Sequence, residues 1–207
     1  AALDAGDVAL VSDAGTPGIN DPGFELVRLA LDAGHQVSPI PGPSAPMAAL
    51  TASGLPSDSF LYLGYLPRKA SQRQRVIGEV VSLPYTLIFL ETPHRLLAAL
   101  DDLTTVLGDR KITVAREMTK LHEEFIRGSI SEAIARFTDQ PPRGEITLII
   151  AGASTDVEVW SSERLHEEIE IALSDGEKSS QIARRLANES GWKRRDIYNL
   201  VMELHNQ

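Results

Sequence analysis

The chain has 207 residues, of which 43% are hydrophobic and 24% charged, so it is long enough to bury the core of one or two globular domains. It has no cysteine, no apolar run of membrane-spanning length and no secretory leader, which excludes a disulfide framework and predicts a cytoplasmic protein with no membrane contact. The net charge of -9 is unlike that of a protein that binds nucleic acid over its whole surface.

The first predicted unit is a strand, a loop rich in small residues and a helix. Residues 8–11 form an apolar run that is short enough for a buried strand. Residues 12–18 follow, with glycine and proline positions that allow close backbone approach to a ligand. A helix is expected to begin at Pro22, with Asp21 as its N-cap. This pattern favours a ligand-binding turn, and a tight turn without a ligand is the alternative.

The same pattern repeats in the second unit. Residues 35–40 predict a strand, residues 41–46 a second loop and residues 47–53 a helix. Two such loops at the ends of adjacent parallel strands are expected to face one crevice. Ser44 either caps the following helix or contacts the ligand. Because residues 1–5 read as the end of a helix, we also expect a preceding strand that this sequence lacks.

The rest of the chain predicts two further domains, at residues 58–153 and 154–207, after a first domain at 1–57. The middle domain is expected to be α+β with a mixed sheet. Its strands are predicted at 60–66, 86–90, 111–116, 123–127 and 145–151. Its helices are predicted at 71–83, from 96 to 107 and at 129–138, the last with Ser129 or Ser131 as its N-cap. A linker at 152–156 leads to helices at 162–173, 179–188 and 194–205. The last two resemble a helix-turn-helix in outline, and simple packing or dimerisation is the alternative.

Charge is distributed unevenly along the sequence. Residues 1–67 contain seven acidic residues and one basic residue, Arg28, whereas residues 68–75 and 178–195 are basic. The acidic first part suits a cationic small ligand, and the basic segments suit a polyanionic partner at a separate site. The alternative is that the basic residues are helix surfaces that only contact solvent.

Several kinds of site are missing from the sequence. It has no P-loop, no G-x-G-x-x-G, no nucleophile elbow and no histidine pair with metal-ligand spacing, so no metal site is expected. What remains is a crevice of glycines, hydroxyls and acids that is able to hold an uncharged or cationic cofactor.

Two loops carry a family resemblance. Gly15-Thr16-Pro17 with Gly23-Phe24-Glu25, and Pro41 to Ala45, look like the two S-adenosylmethionine-binding loops of the tetrapyrrole methylase superfamily. Thr16 stands where that superfamily commonly has aspartate, which is typical of its branch of ribosomal RNA small subunit methyltransferases. The runs at 66–69, 91–97, 115–120 and 144–146 agree with this branch, whose members begin with a further segment of about seventy residues.

The resemblance implies an α/β tetrapyrrole methylase-like fold with a partial parallel sheet in the first domain, a mixed-sheet second domain and a small helical carboxyl-terminal region. It implies methyl transfer from S-adenosylmethionine to the ribose 2'-hydroxyl of a cytidine in 16S rRNA, by a cytoplasmic homodimer that acts on the rRNA or the small ribosomal subunit. The cofactor contacts carried over by position are Ala14, Gly15, Thr16, Ile19, Ser44, Ala45, Leu90, Glu91 and Met118.

A 2'-hydroxyl is a poor nucleophile until its proton is partly removed, so a nearby base is expected. The candidates are Glu117, Asp13, Glu91 and Lys120, with a slight preference for Glu117. The expected RNA-phosphate ligands are Arg68, Lys69, Arg73 and Arg95, with Lys120 as a further one. Two alternatives stay open: a methylase of the same fold that acts on a tetrapyrrole precursor, and an RNA-binding fragment that does not turn over.

Overall fold

The computed structural model describes residues 2–154 and 160–205. Two compact units divide the chain, Ala1–Ala153 and Ser154–Gln207. The predicted boundary near residue 57 lies inside the first unit, and a division there stays a prediction. None of the helices in the described residues is long and apolar enough to span a bilayer.

The first unit contains six α-helices and five strands among its described residues. In chain order they are α1 (Ala2–Ala5), α2 (Phe24–Asp32), α3 (Ala45–Ser53), β1 (Phe60–Tyr65), α4 (Ala70–Gly78), β2 (Thr86–Glu91), a short 3-10 turn (Pro93–Arg95), α5 (Leu96–Leu107), β3 (Lys111–Arg116), β4 (Glu124–Ser129), α6 (Ile130–Asp139) and β5 (Ile146–Ile150).

All five strands form one mixed sheet in the order β1-β2-β5-β3-β4. β1 and β2 are parallel, and every other neighbouring pair is antiparallel. Because β5 runs against both β2 and β3, the carboxyl ends of β2 and β3 lie at the same edge of the sheet, with Glu91 and Arg116 both in register with Ile146. That edge positions the candidate site.

Side chains alternate between the two faces of this sheet. Leu87 and Phe89 belong to the larger apolar cluster, which also includes side chains of α4, α5 and α6. Ile88 belongs to a smaller cluster with Ala49 and Leu50 of α3. The sheet is therefore covered by α4, α5 and α6 on one face and by α3 on the other, as alternation along buried strands requires.

The two strands predicted at residues 8–11 and 35–40 are not formed. Neither segment pairs with the sheet, and Val11 and Ile40 have exposed fractions of 80% and 84%. An apolar run indicates a preference for burial, but a strand also needs a neighbouring strand to satisfy its N–H and C=O groups. No segment of the described residues supplies that neighbour, so the parallel sheet expected in the first domain is absent from this part of the structure.

The start of α2 also differs from the prediction. The helix begins at Phe24, and its N-cap position is occupied by Gly23, whose φ of 143° lies outside the helical region. Asp21 and Pro22 therefore belong to the preceding turns, and the predicted Asp21 cap is wrong.

The remaining elements agree closely with the sequence prediction. α6 begins with Ser129 as N-cap, and a capping box joins Ser129 and Glu132, which settles the choice between Ser129 and Ser131. α4 ends at Gly78, earlier than residue 83, because residues 79–82 form turns.

The second unit consists of α7 (Ser162–Ser174), α8 (Ser179–Ser190) and α9 (Arg194–His205) around a small apolar core. Gly191 ends α8 in the left-handed conformation, and the indole N–H of Trp192 donates a hydrogen bond to the Trp160 carbonyl at 2.8 Å. Some predicted segments include residues that lie outside the described part of the chain. These are residues 155 and 156 of the linker, Ala1 of the first helix, and residues 206 and 207 of the third domain.

Candidate functional site

Residues 12–23 form the first loop, which is held in shape by its own hydroxyl and glycine positions. The hydroxyl of Ser12 donates to the carbonyls of Ala14 at 3.2 Å and Gly15 at 3.4 Å. Gly15 and Gly18 have φ values of 76° and 80°, which side chains with a Cβ rarely adopt. The loop therefore exposes main chain rather than side chains between residues 14 and 18.

The second loop, residues 41–44, lies directly beside the first. Oγ1 of Thr16 donates a hydrogen bond to the carbonyl of Pro43 at 3.2 Å. A Cβ placed on Gly15 would lie 3.7 Å from the same oxygen. The two loops are thus in contact, although the strands expected to bring them together are not formed, and a shared ligand crevice between them stays a prediction.

Ser44 occupies the N-cap position of α3 but makes no capping hydrogen bond through its side chain. Ala45 is the first helical residue and is exposed. Of the two roles predicted for Ser44, side-chain capping is not observed. Its hydroxyl is therefore available to a ligand at the start of the helix.

The first loop is anchored to β1 through Asn20. The hydroxyl of Tyr62 donates a hydrogen bond to Oδ1 of Asn20, which has a positive φ of 59°. β1 has a bulge between Tyr62 and Gly64, and a Cβ on Gly64 would lie 2.8 Å from Nδ2 of Asn20. Burial, with smaller contributions from Tyr65 and Asp21, raises the pKa of Tyr62, so its hydroxyl remains a donor at neutral pH.

Sequence reasoning did not select Asn20 and Tyr62 as site residues. A tyrosine in a strand is ordinarily interpreted as core, and here its ring does pack beside Ala49 and Leu50. Two features of the sequence could have indicated this contact. A half-buried tyrosine needs a hydrogen-bond partner for its hydroxyl, and asparagine is one of the few residues that adopt positive φ in a loop.

At the end of β2 the two predicted cofactor contacts point to opposite faces. Strand alternation places Leu90 on the α3 face, where it is half-buried, and Glu91 on the α5 face. Glu91 is 1% exposed; Oε1 accepts from the Thr92 N–H at 2.8 Å, and Oε2 lies 3.3 Å from the Arg95 guanidinium. Leu90 therefore lies on the face of the sheet that α3 covers, whereas Glu91 forms a buried ion pair on the opposite face.

The segment after β3, residues 117–123, completes this edge of the sheet. Met118 packs with the α3 cluster, close to Ala49 and Leu50. Glu117 and Thr119 have positive φ values of 49° and 67°, a strained arrangement for residues with side chains. Met118 is one of the cofactor contacts expected from the resemblance, and its half-buried position is compatible both with that role and with packing in the core.

Glu117 and Lys120 form an ion pair. Oε1 of Glu117 lies 3.0 Å from Nζ of Lys120 and also accepts from the Glu145 N–H at 3.3 Å. The Lys120 hydrogen bond is the main cause that lowers the pKa of Glu117, and the same bond is the main cause that raises the pKa of Lys120.

Asp13, Ala14 and Ile19 are exposed on the first loop. Asp13 makes no side-chain hydrogen bond or ion pair with any other residue that the structure describes. Among the described residues no group of acidic or histidine side chains is arranged to hold a metal ion.

The four predicted RNA ligands fall into two pairs. Arg68 and Lys69 are exposed between β1 and α4. Arg73 is only 5% exposed; it donates to Asp102 through Nε at 2.6 Å and to the carbonyls of Pro67, Arg68 and Ala98. Arg95 pairs with Glu91 and donates to the Leu66 carbonyl. Arg73 has no surface to offer RNA because its guanidinium is saturated inside the unit.

Comparisons with known proteins agree with this architecture. A family model described as Tetrapyrrole (Corrin/Porphyrin) Methylases matches residues 1–134. The solved structure of the methyltransferase CobJ superposes with a TM-score of 0.52 at 19% identity, over 68% of this chain and 63% of its own, which confirms the predicted fold class. The chain thus spans less than two thirds of that structure.

Two curated relatives carry the name Ribosomal RNA small subunit methyltransferase I. The Synechocystis protein is 48% identical over 99% of this chain and 74% of its own length. The Halalkalibacterium halodurans protein is 43% identical over 93% of this chain and 68% of its own. The chain therefore belongs to the tetrapyrrole methylase family and, within it, to the ribosomal RNA small subunit methyltransferase I family.

Proposed function

We propose that this chain binds S-adenosylmethionine and methylates ribosomal RNA, with the ribose 2'-hydroxyl of a cytidine in 16S rRNA as the acceptor. The observation that carries the proposal is the Thr16–Pro43 hydrogen bond, which joins the two loops into one surface of exposed main chain. Relatives named as ribosomal RNA methyltransferases support the substrate class. Action as a cytoplasmic homodimer on 16S rRNA or the small ribosomal subunit is part of the same proposal.

The residues present suit a cationic cofactor. Residues 14–18 and 41–44 provide C=O groups and, except at Pro17, Pro41 and Pro43, N–H groups, and the Ser44 hydroxyl is free of a capping bond. The acidic excess in residues 1–67 favours a ligand with a positive charge. The proposed contacts are Ala14, Gly15, Thr16, Ile19, Ser44, Ala45, Leu90 and Met118. Glu91 is excluded from this set because its side chain lies on the other face of the sheet.

The cofactor supplies an electrophilic methyl group on a sulfonium when it is bound. The protein's contribution is to align the ribose oxygen with that group and to exclude water, which accounts for much of the rate gain in such transfers. In this proposal the two loops and Leu90 contact the cofactor and hold its methyl group in position. A base completes the chemistry by taking the hydroxyl proton.

Among the four candidate bases, the observed contacts favour Asp13. Glu91 is buried with Arg95. Glu117 is a weaker base than an ordinary carboxylate because its pKa is lowered, and Lys120 stays protonated because its pKa is raised. Asp13 is exposed on the first loop and has no competing partner among the described residues. Asp13→Asn should lower kcat strongly and leave the affinity for S-adenosylhomocysteine unchanged.

The RNA surface is assigned to the exposed pair between β1 and α4, Arg68 and Lys69. Both side chains are long cations without ion pairs to other described residues, as contacts to RNA phosphates require. Arg73 and Arg95 act beneath this surface: both donate to the 66–68 main chain and so position the two cations.

Calorimetric titration of the purified chain with S-adenosylhomocysteine tests the cofactor site. Gly15→Trp should abolish binding because an indole would fill the space between the loops and because Gly15 has positive φ. Gly54→Trp is the matched control, since Gly54 also has a positive φ and a Cβ there would meet no atom within 4 Å. Binding by Gly15→Trp equal to that of the unmodified chain would overturn the assignment.

Transfer of a labelled methyl group from S-adenosylmethionine tests the reaction, with small ribosomal subunits, naked 16S rRNA and a tetrapyrrole precursor as the acceptors offered. A product nucleotide whose neighbouring linkage resists alkaline hydrolysis is expected, because a methylated 2'-oxygen cannot attack the phosphate. Label that is found only on a tetrapyrrole precursor would replace the proposal with the small-molecule alternative. Cofactor binding without any transfer would indicate a non-catalytic RNA-binding fragment.

A further inference from the structure

A second concave site lies at the same sheet edge, on the α6 face. It is a cavity of about 320 Å³ between the end of β3, the start of β4, the end of α6 and the turn at residues 140–143. Its charged lining consists of Arg116, Glu117, His122, Glu124, Arg136 and Arg143. None of these residues belongs to the proposed cofactor contacts.

The cavity has more cationic than anionic groups. Arg116 and Arg136 share one carboxylate, that of Glu124, with Arg136 at 2.9 Å. Arg143 is exposed and makes no ion pair with any described residue, and the carboxylate of Glu117 is already paired with Lys120. The lining therefore carries three guanidinium groups against two carboxylates that already have partners, so an anion entering it would be attracted by Arg143 and by the unshared donors of Arg116 and Arg136.

The local structure keeps these groups in place without a ligand. Arg116 is the last residue of β3 and Arg136 lies in the last turn of α6. Phe137 of α6 is buried in the apolar cluster beneath them, and Pro141 and Pro142 restrict the turn that carries Arg143. The guanidinium groups of Arg116 and Arg136, which Glu124 holds, therefore lose little entropy when a phosphate binds.

The cavity and the proposed methyl-transfer site are neighbours across the sheet edge. Leu90 is in register with Thr147, and Thr147 with Ala115, so the Cα atoms of Leu90 and Ala115 are two strand spacings, or about 10 Å, apart. Ala115 belongs to the α3 face, and Arg116, the next residue, lines the cavity on the opposite face. Met118 contributes to the α3 side, whereas Glu117 and His122 line the cavity. The residues with positive φ, Glu117 and Thr119, form the turn between them.

We propose that this cavity binds a phosphodiester group of the substrate RNA, next to the nucleotide that is methylated. The proposal rests on the function proposed above and deepens it. Guanidinium forks match phosphate oxygens in geometry, and a phosphate fixes the register of a strand without reading its bases. A phosphate held in the cavity would therefore help to bring one ribose to the methyl-transfer site, while Arg68 and Lys69 contact the strand elsewhere.

Fluorescence anisotropy with labelled 16S rRNA tests this site, with Arg143→Gln as the main variant because Arg143 makes no structural ion pair. Loss of one phosphate contact should weaken RNA binding by about three- to tenfold and reduce the slope of log affinity against log salt by about 0.7 to 0.9. Lys111→Gln is the matched control: it removes one exposed cation from the other end of β3. It should leave both quantities unchanged.

Arg136→Gln provides a second, independent variant, and its thermal unfolding reports any damage from loss of the Glu124 contact. Inorganic phosphate should compete with RNA for the unmodified chain and compete less well for Arg143→Gln. Unchanged RNA affinity and salt slope in both arginine variants would overturn the proposal. Phosphate binding at the cavity without an effect on RNA would also overturn it, because the site would then serve a small anion.

Affinity for S-adenosylhomocysteine separates this proposal from the function on which it rests. Both arginine variants should bind it as the unmodified chain does, since neither arginine is a proposed cofactor contact. If the unmodified chain binds no S-adenosylhomocysteine, the proposed function fails, whatever the cavity variants do to RNA binding.

Discussion

The hydroxyl of Thr16 donates a hydrogen bond to the carbonyl of Pro43, 3.2 Å away and 27 residues along the chain. It is the direct polar link between the two loops that would hold the cofactor. Both loops are exposed, and neither continues a strand of the sheet. The distance between the loops therefore depends on this bond more than the distance between two paired strands depends on any one of their hydrogen bonds. The proposed cofactor site therefore depends on Thr16, at a position where the family resemblance leads one to expect aspartate.

Thr16→Val removes that bond while keeping the shape of the side chain. A net hydrogen bond contributes about 1 kcal/mol, so we expect affinity for S-adenosylhomocysteine to fall about fivefold, with little change in melting temperature. Thr105→Val is the control, because its hydroxyl bonds only within α5, to the Asp101 carbonyl at 2.8 Å. Equal affinities of the two variants in calorimetry would show that the Thr16 bond does not order the site.

Gly64→Ala tests how the first loop is anchored on β1. The new Cβ would lie 2.8 Å from Nδ2 of Asn20, so Asn20 must move away from Tyr62. The substitution also places alanine at a φ of 64°, which costs about 1–2 kcal/mol. We expect both a lower melting temperature and weaker binding of S-adenosylhomocysteine.

Gly54→Ala separates these two effects. Gly54 has a φ of 80°, but a Cβ there meets no atom within 4 Å. It should lose stability in the same way and keep its affinity. If Gly64→Ala kept its affinity as well, the Asn20–Tyr62 contact would have no role in ordering the loop.

Much of this arrangement could be predicted from the sequence because it is local. Ser129 and Glu132 at capping-box spacing fix the start of α6, and the β-branched runs at 86–91 and 146–150 form central strands. The first loop also has the backbone that its glycines predict, since Gly15 and Gly18 adopt positive φ. These features depend on residues only a few positions apart.

The features that were missed depend on distant partners. The apolar run at 8–11 predicts a strand, but pairing depends on a neighbouring strand, which no periodicity within the run reveals. The basic cluster at 68–75 looks uniform in sequence, yet Arg73 is buried because Asp102, 29 residues away, lies beside it. Glu91 is a different case, because its partner is local: strand alternation puts its side chain on the face opposite Leu90, where Arg95 from the next turn pairs with it.

Arg73→Gln should destabilise the fold rather than weaken RNA binding directly. Arg73 and Asp102 form an ion pair with both side chains nearly buried, and loss of one partner leaves the other charge unpaired. Such a change typically costs about 3–5 kcal/mol, measurable by chemical denaturation. Arg68→Gln should change the free energy of unfolding by less than about 0.5 kcal/mol and still weaken RNA binding. If the Arg73→Gln protein were stable and lost only its affinity for RNA, Arg73 would have to be assigned a direct contact with RNA.

The Glu117–Lys120 pair predicts a specific pH dependence. The pKa of Glu117 is lowered in the folded protein, chiefly by the Lys120 hydrogen bond. The ionised carboxylate therefore stabilises the fold above its unfolded pKa of about 4.3. This stabilisation is lost as the pH falls through the folded pKa of Glu117. The pKa of Lys120 is raised, so its contribution is present below about 10.4 and is lost as pH rises through its folded value. The pair should therefore stabilise the strained 117–119 turn between these limits.

A double-mutant cycle of Glu117→Gln and Lys120→Met, measured by thermal unfolding, isolates this coupling from other effects of each substitution. At pH 7 the two changes should be non-additive, because either one alone removes the ion pair. At a pH below the folded pKa of Glu117 they should become additive, since the carboxyl is then neutral in the parent chain as well. Coupling that persists unchanged in acid would mean that the contact is held by packing of the turn and that charge contributes little to it.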